Sequence, residues 1–142
     1  MARFAQSVVI RRPVGEVWAF LARLENETLW QQGLIEARMT SEGPMGLGST
    51  GEEIRSWMGR RVATAWKVTA FEADRRFAFK VTKPMPFTAA YEFATVPEGT
   101  RVEMTAEPTG FSRVLWPLIA NTARKQYETD FAKLKEVLEA QA

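Results

Sequence analysis

The chain of 142 residues contains no cysteine and no histidine. Without cysteine it can form neither a disulfide nor a thiolate nucleophile. Without histidine it lacks the commonest general base, the usual partner of a catalytic serine and the usual ligand of transition metals. We therefore predict no metal and no cofactor. Any catalysis would have to rely on tyrosine, carboxylates, arginine or lysine.

Long apolar runs and charge of one sign are also missing. The longest apolar stretch, residues 114–120, is far shorter than the roughly 20 residues that span a bilayer. The net charge is only +2, and its 19 basic and 17 acidic residues are interspersed, so no electrostatic footprint for nucleic acid is present. Residues 1–7 hold no long apolar core of a secretory signal. We expect a cytoplasmic protein without nucleic-acid partners or stable membrane insertion.

The composition that remains is ordinary for a folded protein. Hydrophobic residues make up 46% of the chain and charged residues 25%, which is typical of a soluble globule. No internal repeat, low-complexity tract or linker divides the sequence. Its length suits one domain, so we predict a single domain over residues 1–142.

The first 109 residues predict strands interrupted by two short helices. Hydrophobicity alternates with period 2 between turn residues, which favours antiparallel strands with short connections over βαβ units. The predicted strands are residues 4–10, 34–40, 50–57, 61–71, 76–82, 88–96 and 100–108. One short helix follows Pro13 to about Arg23, and Asn26 can cap a second one that has Leu29 and Trp30 on its buried side.

The last thirty residues carry the clearest pattern. Apolar residues recur at spacings of 3 and 4, which predicts one long helix with a single buried stripe. These residues are Trp116, Ala120, Ala123, Tyr127, Phe131, Leu134 and Leu138. Pro117 leaves two alternatives, a helix that starts near Trp116 or a kinked helix that starts at Ser112. A helix laid along a curved sheet touches it poorly in the middle, so we predict an internal cavity.

Several segments resemble the polyketide cyclase/dehydrase branch of the START-like (SRPBCC) superfamily. Residues 9–21 resemble its opening, a strand, then a proline, then a helix with a Glu-Val-Trp triplet. Trp30, the Gly-Thr-Arg-Val hairpin at 99–102 and the closing Leu-Lys-Glu-Val-Leu-Glu at 134–139 also match the usual layout. The resemblance implies an α+β helix-grip fold, in which a seven-stranded antiparallel sheet wraps around the long C-terminal helix.

The resemblance also implies a cavity for a small hydrophobic or aromatic molecule, lipid-like or polyketide-like. Members of the superfamily bind sterols, lipids, plant hormones or polyketides, and a minority are cyclases or other enzymes. One fold therefore hosts several functions. We expect a small hydrophobic molecule as the partner, and a monomer or homodimer.

Candidate cavity residues lie on the last helix and on alternating strand positions. Ala120 and Ala123 are small side chains within the buried stripe and leave room that a leucine would fill. Tyr127 can offer its hydroxyl to a ligand carbonyl. The predicted ligand-binding residues are Trp30, Trp66, Phe87, Tyr91, Phe93, Met104, Trp116, Ile119, Ala120, Ala123 and Tyr127. Ordinary core packing is the alternative for each. The bulkier Phe131, Leu134 and Leu138 are expected to seal the closed end.

Two connections and a few charges complete the prediction. The Met-Pro-Phe turn at 85–87 is a candidate lid, and the loop 43–51, which has four glycines, is a second candidate moving edge. Strand charges are expected on the solvent face, and these are Glu52, Arg55, Glu92 and Glu103. A charge that pointed inward would need a partner, and it would become a candidate for polar recognition or acid–base work.

Three function classes remain open. The first is a non-catalytic binder, such as a carrier or sensor. The second is a cyclase- or dehydrase-type enzyme that acts on an apolar substrate through tyrosine, glutamate or arginine, and a buried ionisable group in the cavity would favour it. The third is a partner-dependent module, which would need an exposed apolar strip or an extra domain that the sequence does not reveal.

Overall fold

The computed structural model describes residues 4–57, 59–83 and 85–141. Within these residues the chain forms seven strands, a short α-helix and a 3₁₀ helix after the first strand, and a long C-terminal α-helix. The elements are β1 (Phe4–Ile10), α1 (Val14–Ala22), the 3₁₀ helix (Leu24–Leu29), β2 (Leu34–Met39), β3 (Thr50–Trp57), β4 (Arg60–Glu72), β5 (Arg76–Lys83), β6 (Phe87–Val96), β7 (Gly99–Pro108) and α2 (Ser112–Glu139). Strand ends lie within one residue of the predicted ones.

These seven strands of the described chain form one antiparallel sheet in the order β1-β7-β6-β5-β4-β3-β2. Strands β2 to β7 follow one another as a meander, whereas β1 pairs with β7 at the far edge. The backbone of α2 approaches β1 and β7 most closely. The architecture is the helix-grip fold, which confirms the predicted fold class. The single domain over residues 1–142 stays a prediction.

The start of the 3₁₀ helix and the exposure of Leu29 differ from the prediction. This helix begins at Leu24, so Asn26 lies inside it and does not cap it. The Nδ2 of Asn26 instead donates to the carbonyl oxygen of Phe20 at the end of α1, with an N···O distance of 3.1 Å. Leu29 is 51% exposed, and Trp30 alone of the pair is buried.

The start of α2 decides between the two alternatives that Pro117 left open. The helix begins at Ser112 and contains the proline in its second turn. A proline there removes one hydrogen bond from the helix, because its nitrogen carries no hydrogen. The turns on either side of Pro117 remain helical.

The register of β3 and β4 decides which side chains face α2. Gly51 pairs with Trp66, and Arg55 pairs with Val62, so odd positions of β3 share a face with even positions of β4. The indole of Trp66 lies directly over Gly51, and a Cβ atom at position 51 would overlap that ring. This close approach needs glycine.

The second half of α2 packs tightly. Phe131, Leu134 and Leu138 are at most 1% exposed and share one core with Ile10 and Val102. Burying such side chains contributes about 1.5 to 3 kcal/mol each to folding. These bulky residues close this end of the fold, as the sequence predicts.

Strand β1 and the segment after it hold the C-terminal end of α2 by hydrogen bonds. Nε of Arg12 donates to the carbonyl oxygen of Leu138 at 2.9 Å, and Nζ of Lys135 donates to the carbonyl oxygen of Val9 at 2.7 Å. The Arg12 charge also suits the negative end of the helix dipole. The helix is therefore anchored at its C-terminal half.

Candidate ligand-binding cavity

A cavity of about 240 Å³ lies between the concave face of the sheet, the 3₁₀ helix and the first half of α2. Nine of the eleven predicted residues line it, namely Trp30, Trp66, Phe87, Tyr91, Phe93, Trp116, Ile119, Ala123 and Tyr127. The structure thus brings together residues that are far apart in the sequence. Their part in binding stays a prediction.

Met104 and Ala120 do not line the cavity, in contrast to the prediction. Met104 is fully buried in the core with Phe131, because the second half of α2 packs against that part of β7. Ala106, two residues further along β7, does line the cavity. Ala120 is half-buried, whereas its neighbour Ile119, which was also predicted, does line the cavity.

Aromatic rings from neighbouring strands form much of the wall. Phe79 lies between Phe87 and Tyr91, with ring centroids 6.4 Å and 6.2 Å away. Phe77 lies 6.5 Å from Tyr91 in an edge-on arrangement. Such geometries favour aromatic packing and present flat apolar surfaces to the cavity. Phe77 and Phe79 are cavity residues outside the predicted set.

The rim consists of the two connections that the sequence singles out. The loop 43–51 contributes Met45 to the cavity lining, and the Met-Pro-Phe turn contributes Met85, Pro86 and Phe87. The backbone N–H of Thr109 donates to the carbonyl oxygen of Pro86 at 3.1 Å, which ties this turn to the start of α2. Movement of either connection stays a prediction.

A charged pair lies at one end of the cavity. Arg55 and Glu53 on β3 both line it, with side chains only 18% and 15% exposed. An Nη2–H of Arg55 donates to Glu53 at 2.9 Å, and the same nitrogen donates to Oε1 of Gln31 at 2.9 Å. Nε2 of Gln31 donates in turn to Glu27 at 3.2 Å. We call Glu27, Gln31, Glu53 and Arg55 the polar end.

The inward position of Arg55 corrects the expectation that it faces solvent. The other three charges in that group lie outside the cavity. Glu52, on the opposite face of β3, pairs with exposed Arg38 at 2.6 Å. Glu92 is exposed, and Glu103 is half-buried beside it on β7.

The surroundings of Glu27 in the polar end raise its pKa. Burial raises the pKa of Glu27 well above its usual range, and the hydrogen bond and charge of Glu53 raise it further, while Arg55 and Gln31 oppose the shift. These surroundings favour the neutral form of Glu27 more than water does.

Nearby groups on α2 are shifted by burial as well. Burial raises the pKa of Tyr127 to about 12, although the Arg55 charge opposes the shift. Burial also raises the pKa of Asp130 to about 6, against the hydrogen bond from the backbone N–H of Gln32 at 2.8 Å. Tyr127 therefore stays neutral, and Asp130 is ionised only above mildly acidic pH.

Sequence reasoning missed Glu27 and Glu53. Charged residues within a strand usually face solvent, and Glu53 was not among the charges considered for the cavity. Glu27 falls in the first turn of the predicted second helix, where carboxylates favour the helix dipole. The clue that could have found Glu53 is Gly51, which shares its face and marks a close approach.

The first turns of α2 also present an apolar surface outward. Phe111, Val114 and Leu118 are 56%, 80% and 78% exposed, and they flank the cavity residues of the same turns. We call these three residues the exposed stripe. The sequence did not reveal it, because the helical pattern was counted from Trp116.

A protein-family model described as polyketide cyclase / dehydrase and lipid transport matches residues 1–139. The chain belongs to this family. The match covers almost the entire chain and confirms the START-like resemblance that the sequence carries. A search of curated proteins found no match.

Solved structures with the same fold include proteins from several bacteria. Protein NE0264 of Nitrosomonas europaea is 16% identical, with a TM-score of 0.79 over 97% of this chain and 94% of its own. TTHA0849 of Thermus thermophilus is 19% identical, with a TM-score of 0.76 over 98% and 97% of the two chains. Ms6760 of Mycobacterium smegmatis is 18% identical, with a TM-score of 0.77 over 98% and 92%. At these identities the likeness shows the fold alone.

The family description includes lipid transport, a function that involves membrane lipids. In the described part of the chain, no helix combines the length and hydrophobicity needed to cross a bilayer. The family description leaves both a binding and an enzymatic function open.

Proposed function

We propose that this protein binds a small, largely aromatic molecule of one or two rings in the cavity. The single observation that carries the proposal is an aromatic-walled void of about 240 Å³ beneath the first half of α2. An apolar cavity of about 150 Å³ already holds a benzene-sized molecule. The family description, which includes lipid transport, supports a binding role.

The composition of the wall supports the same function. Ligand pockets are mostly apolar and have a few polar groups that fix orientation. The aromatic side chains supply the apolar area, and the polar end supplies the fixed groups. A cytoplasmic location and a monomeric or homodimeric state belong to this proposal, and light scattering on purified protein tests the oligomeric state.

The size of the cavity provides the test. Titration calorimetry with tetralin, a hydrocarbon of two fused rings, should show binding to the wild-type protein. Cholesterol, whose four-ring body is much larger than the void, should not bind. Native mass spectrometry of protein purified from its own host should reveal a bound molecule of low mass. Absence of binding by both tetralin and benzene, with no co-purified molecule, would reject the proposed function.

Acid–base catalysis on an apolar substrate is the second candidate function. The Glu27–Glu53 contact favours it, because burial and the neighbouring Glu53 raise the pKa of Glu27 inside the cavity. A carboxyl group whose pKa is raised by an apolar pocket is typical of acid–base roles. Exchange of the C1 hydrogens of 2-tetralone for deuterium, followed by NMR, tests it, and the candidate requires Glu27→Gln to slow that exchange at unchanged ketone affinity.

A further inference from the structure

Hydrogen bonding around the cavity is unevenly satisfied. Two buried carboxylates among the described residues line it, and each accepts a hydrogen bond: Glu53 from Arg55 and Glu27 from Gln31. Neither carboxylate is therefore left without a partner. Because a carboxylate can accept further hydrogen bonds, the test below includes an amine probe.

Two buried donors in the described chain, by contrast, have no hydrogen-bond partner. They are the indole Nε1–H of Trp30 and the hydroxyl of Ser112. Trp30 is 3% exposed and Ser112 is 2% exposed, so bulk water does not replace the missing partners. A buried polar group without a partner costs about 1 to 3 kcal/mol, and native proteins contain few of them.

Both residues line the cavity, so a bound molecule can supply what they lack. Trp30 directly precedes Gln31 of the polar end. Ser112 is the first residue of α2, and its backbone N–H bonds to Thr109 beside the rim turn. The two donors thus come from different elements that border the same cavity.

The chemistry of these groups limits the ligand. An indole N–H can only donate, so its partner must be an acceptor, and a serine hydroxyl can donate as well. We propose that the ligand is an oxygenated ring compound whose carbonyl or ether-type oxygen accepts a hydrogen bond from Nε1–H of Trp30, with Ser112 serving a second oxygen. This inference rests on the proposed function and adds the polar chemistry of the ligand.

The test compares two probes that share one skeleton. Tetralin and 1-tetralone both have two fused rings, and only the ketone carries an oxygen. Titration calorimetry should give tighter binding of 1-tetralone to the wild-type protein, about fivefold to tenfold, the ratio expected from one hydrogen bond. In Trp30→Phe this preference should disappear, whereas tetralin affinity changes little. Trp18→Phe is the matched control, because Trp18 is a buried core tryptophan that does not line the cavity, and this variant should retain the preference.

A measurement on the wild-type protein avoids any folding defect of a variant. The five tryptophans give five indole N–H signals in a ¹H–¹⁵N correlation spectrum. Saturating 1-tetralone should shift one indole signal downfield, tetralin should not, and Trp30→Phe should remove that same signal. Ser112→Ala, which keeps a small side chain, should weaken binding of a two-oxygen probe, 1,4-naphthoquinone, more than binding of 1-tetralone.

Three outcomes would overturn the inference. Equal affinities of tetralin and 1-tetralone in every variant would show a cavity without oxygen recognition, while the proposed binding function survived. Tighter binding of 1-aminotetralin than of 1-tetralone would assign the polar end to amines. No binding of any of these probes would reject the proposed function itself, and the inference with it.

Discussion

The two halves of α2 belong to one continuous helix, but one half is packed into the core and the other half borders the cavity. Residues 128–139 bury Phe131, Leu134 and Leu138 to at most 1% exposure against β1 and β7. Residues 112–127 line a void on one side and expose Val114 and Leu118 on another. The same secondary structure thus forms a solid core at one end and the roof of a cavity at the other.

The difference follows from side-chain size and anchoring. Bulky side chains on the inward face fill the groove at the C-terminal half, where Arg12 and Lys135 also fasten the helix to the start of the chain. In the N-terminal half, Ala123 faces the sheet and leaves space.

The largest expected effect breaks the packed half. Leu134→Ala removes a fully buried side chain and should lower the free energy of unfolding by about 2 to 5 kcal/mol. Ile119→Ala, the counterpart on the cavity roof, should cost below about 1.5 kcal/mol, because its neighbours already face a void. Urea unfolding followed by circular dichroism measures both. Equal losses would mean that the two halves pack alike.

A second change fills the void directly. Ala123→Trp should abolish binding of tetralin and alter the free energy of unfolding by below about 1 kcal/mol, because room for the ring exists. Ala132→Trp, at an exposed position of the same helix, is the control and should change neither property. Calorimetry and urea unfolding report the two effects. A stability loss of about 1 to 3 kcal/mol in Ala123→Trp alone would indicate a site that was already filled.

Asp130 lies where the cavity half of α2 meets the packed half, and its contribution to stability should depend on pH. Its folded-state pKa of about 6 exceeds its unfolded value, so the folded state binds the proton more tightly. Its contribution is therefore complete at low pH and is lost as pH rises through about 6. Asp130→Asn can keep the hydrogen bond from Gln32 but does not titrate.

The stability of the wild-type protein relative to Asp130→Asn should consequently fall by about 1 to 3 kcal/mol between about pH 4 and pH 7.5, from about 1.4 kcal/mol per pKa unit. Urea unfolding of both proteins across that range measures the difference. A difference independent of pH would show that the carboxyl group titrates normally.

The smallest effect concerns the exposed stripe. Leu118→Ser should change the free energy of unfolding by less than about 0.5 kcal/mol, because the side chain is 78% exposed. Binding of tetralin should also remain unchanged. A clear loss of stability would place Leu118 in a contact with the rest of the fold.

The fold was readable from the sequence because it depends on many residues at once. Many residues support the alternation in the seven strands and the helical spacing in α2. A single error, such as the role of Asn26, therefore did not change the predicted fold. The cavity side of α2 followed from the same helical spacing, which included Ile119 correctly and Ala120 wrongly.

The polar end was not readable, because it depends on the phase of one strand. Charges in β3 were expected to face solvent, and the structure turns Glu53 and Arg55 inward instead. Burying such a pair is unfavourable without partners, and Gln31 and Glu27 come from a distant part of the chain, in and just after the 3₁₀ helix. No local sequence pattern predicts this contact between β3 and the residues in and after the 3₁₀ helix.

The indole of Trp66 rests on the bare backbone of Gly51 while its other side borders the cavity. Any side chain at position 51 would overlap that ring and the carbonyl oxygen of Arg38, so glycine here lets the ring recede from the cavity. Under the proposed function, ligand preference can thus drift in evolution through a residue that does not line the cavity. A homologue with alanine there should accept narrower compounds than this protein does.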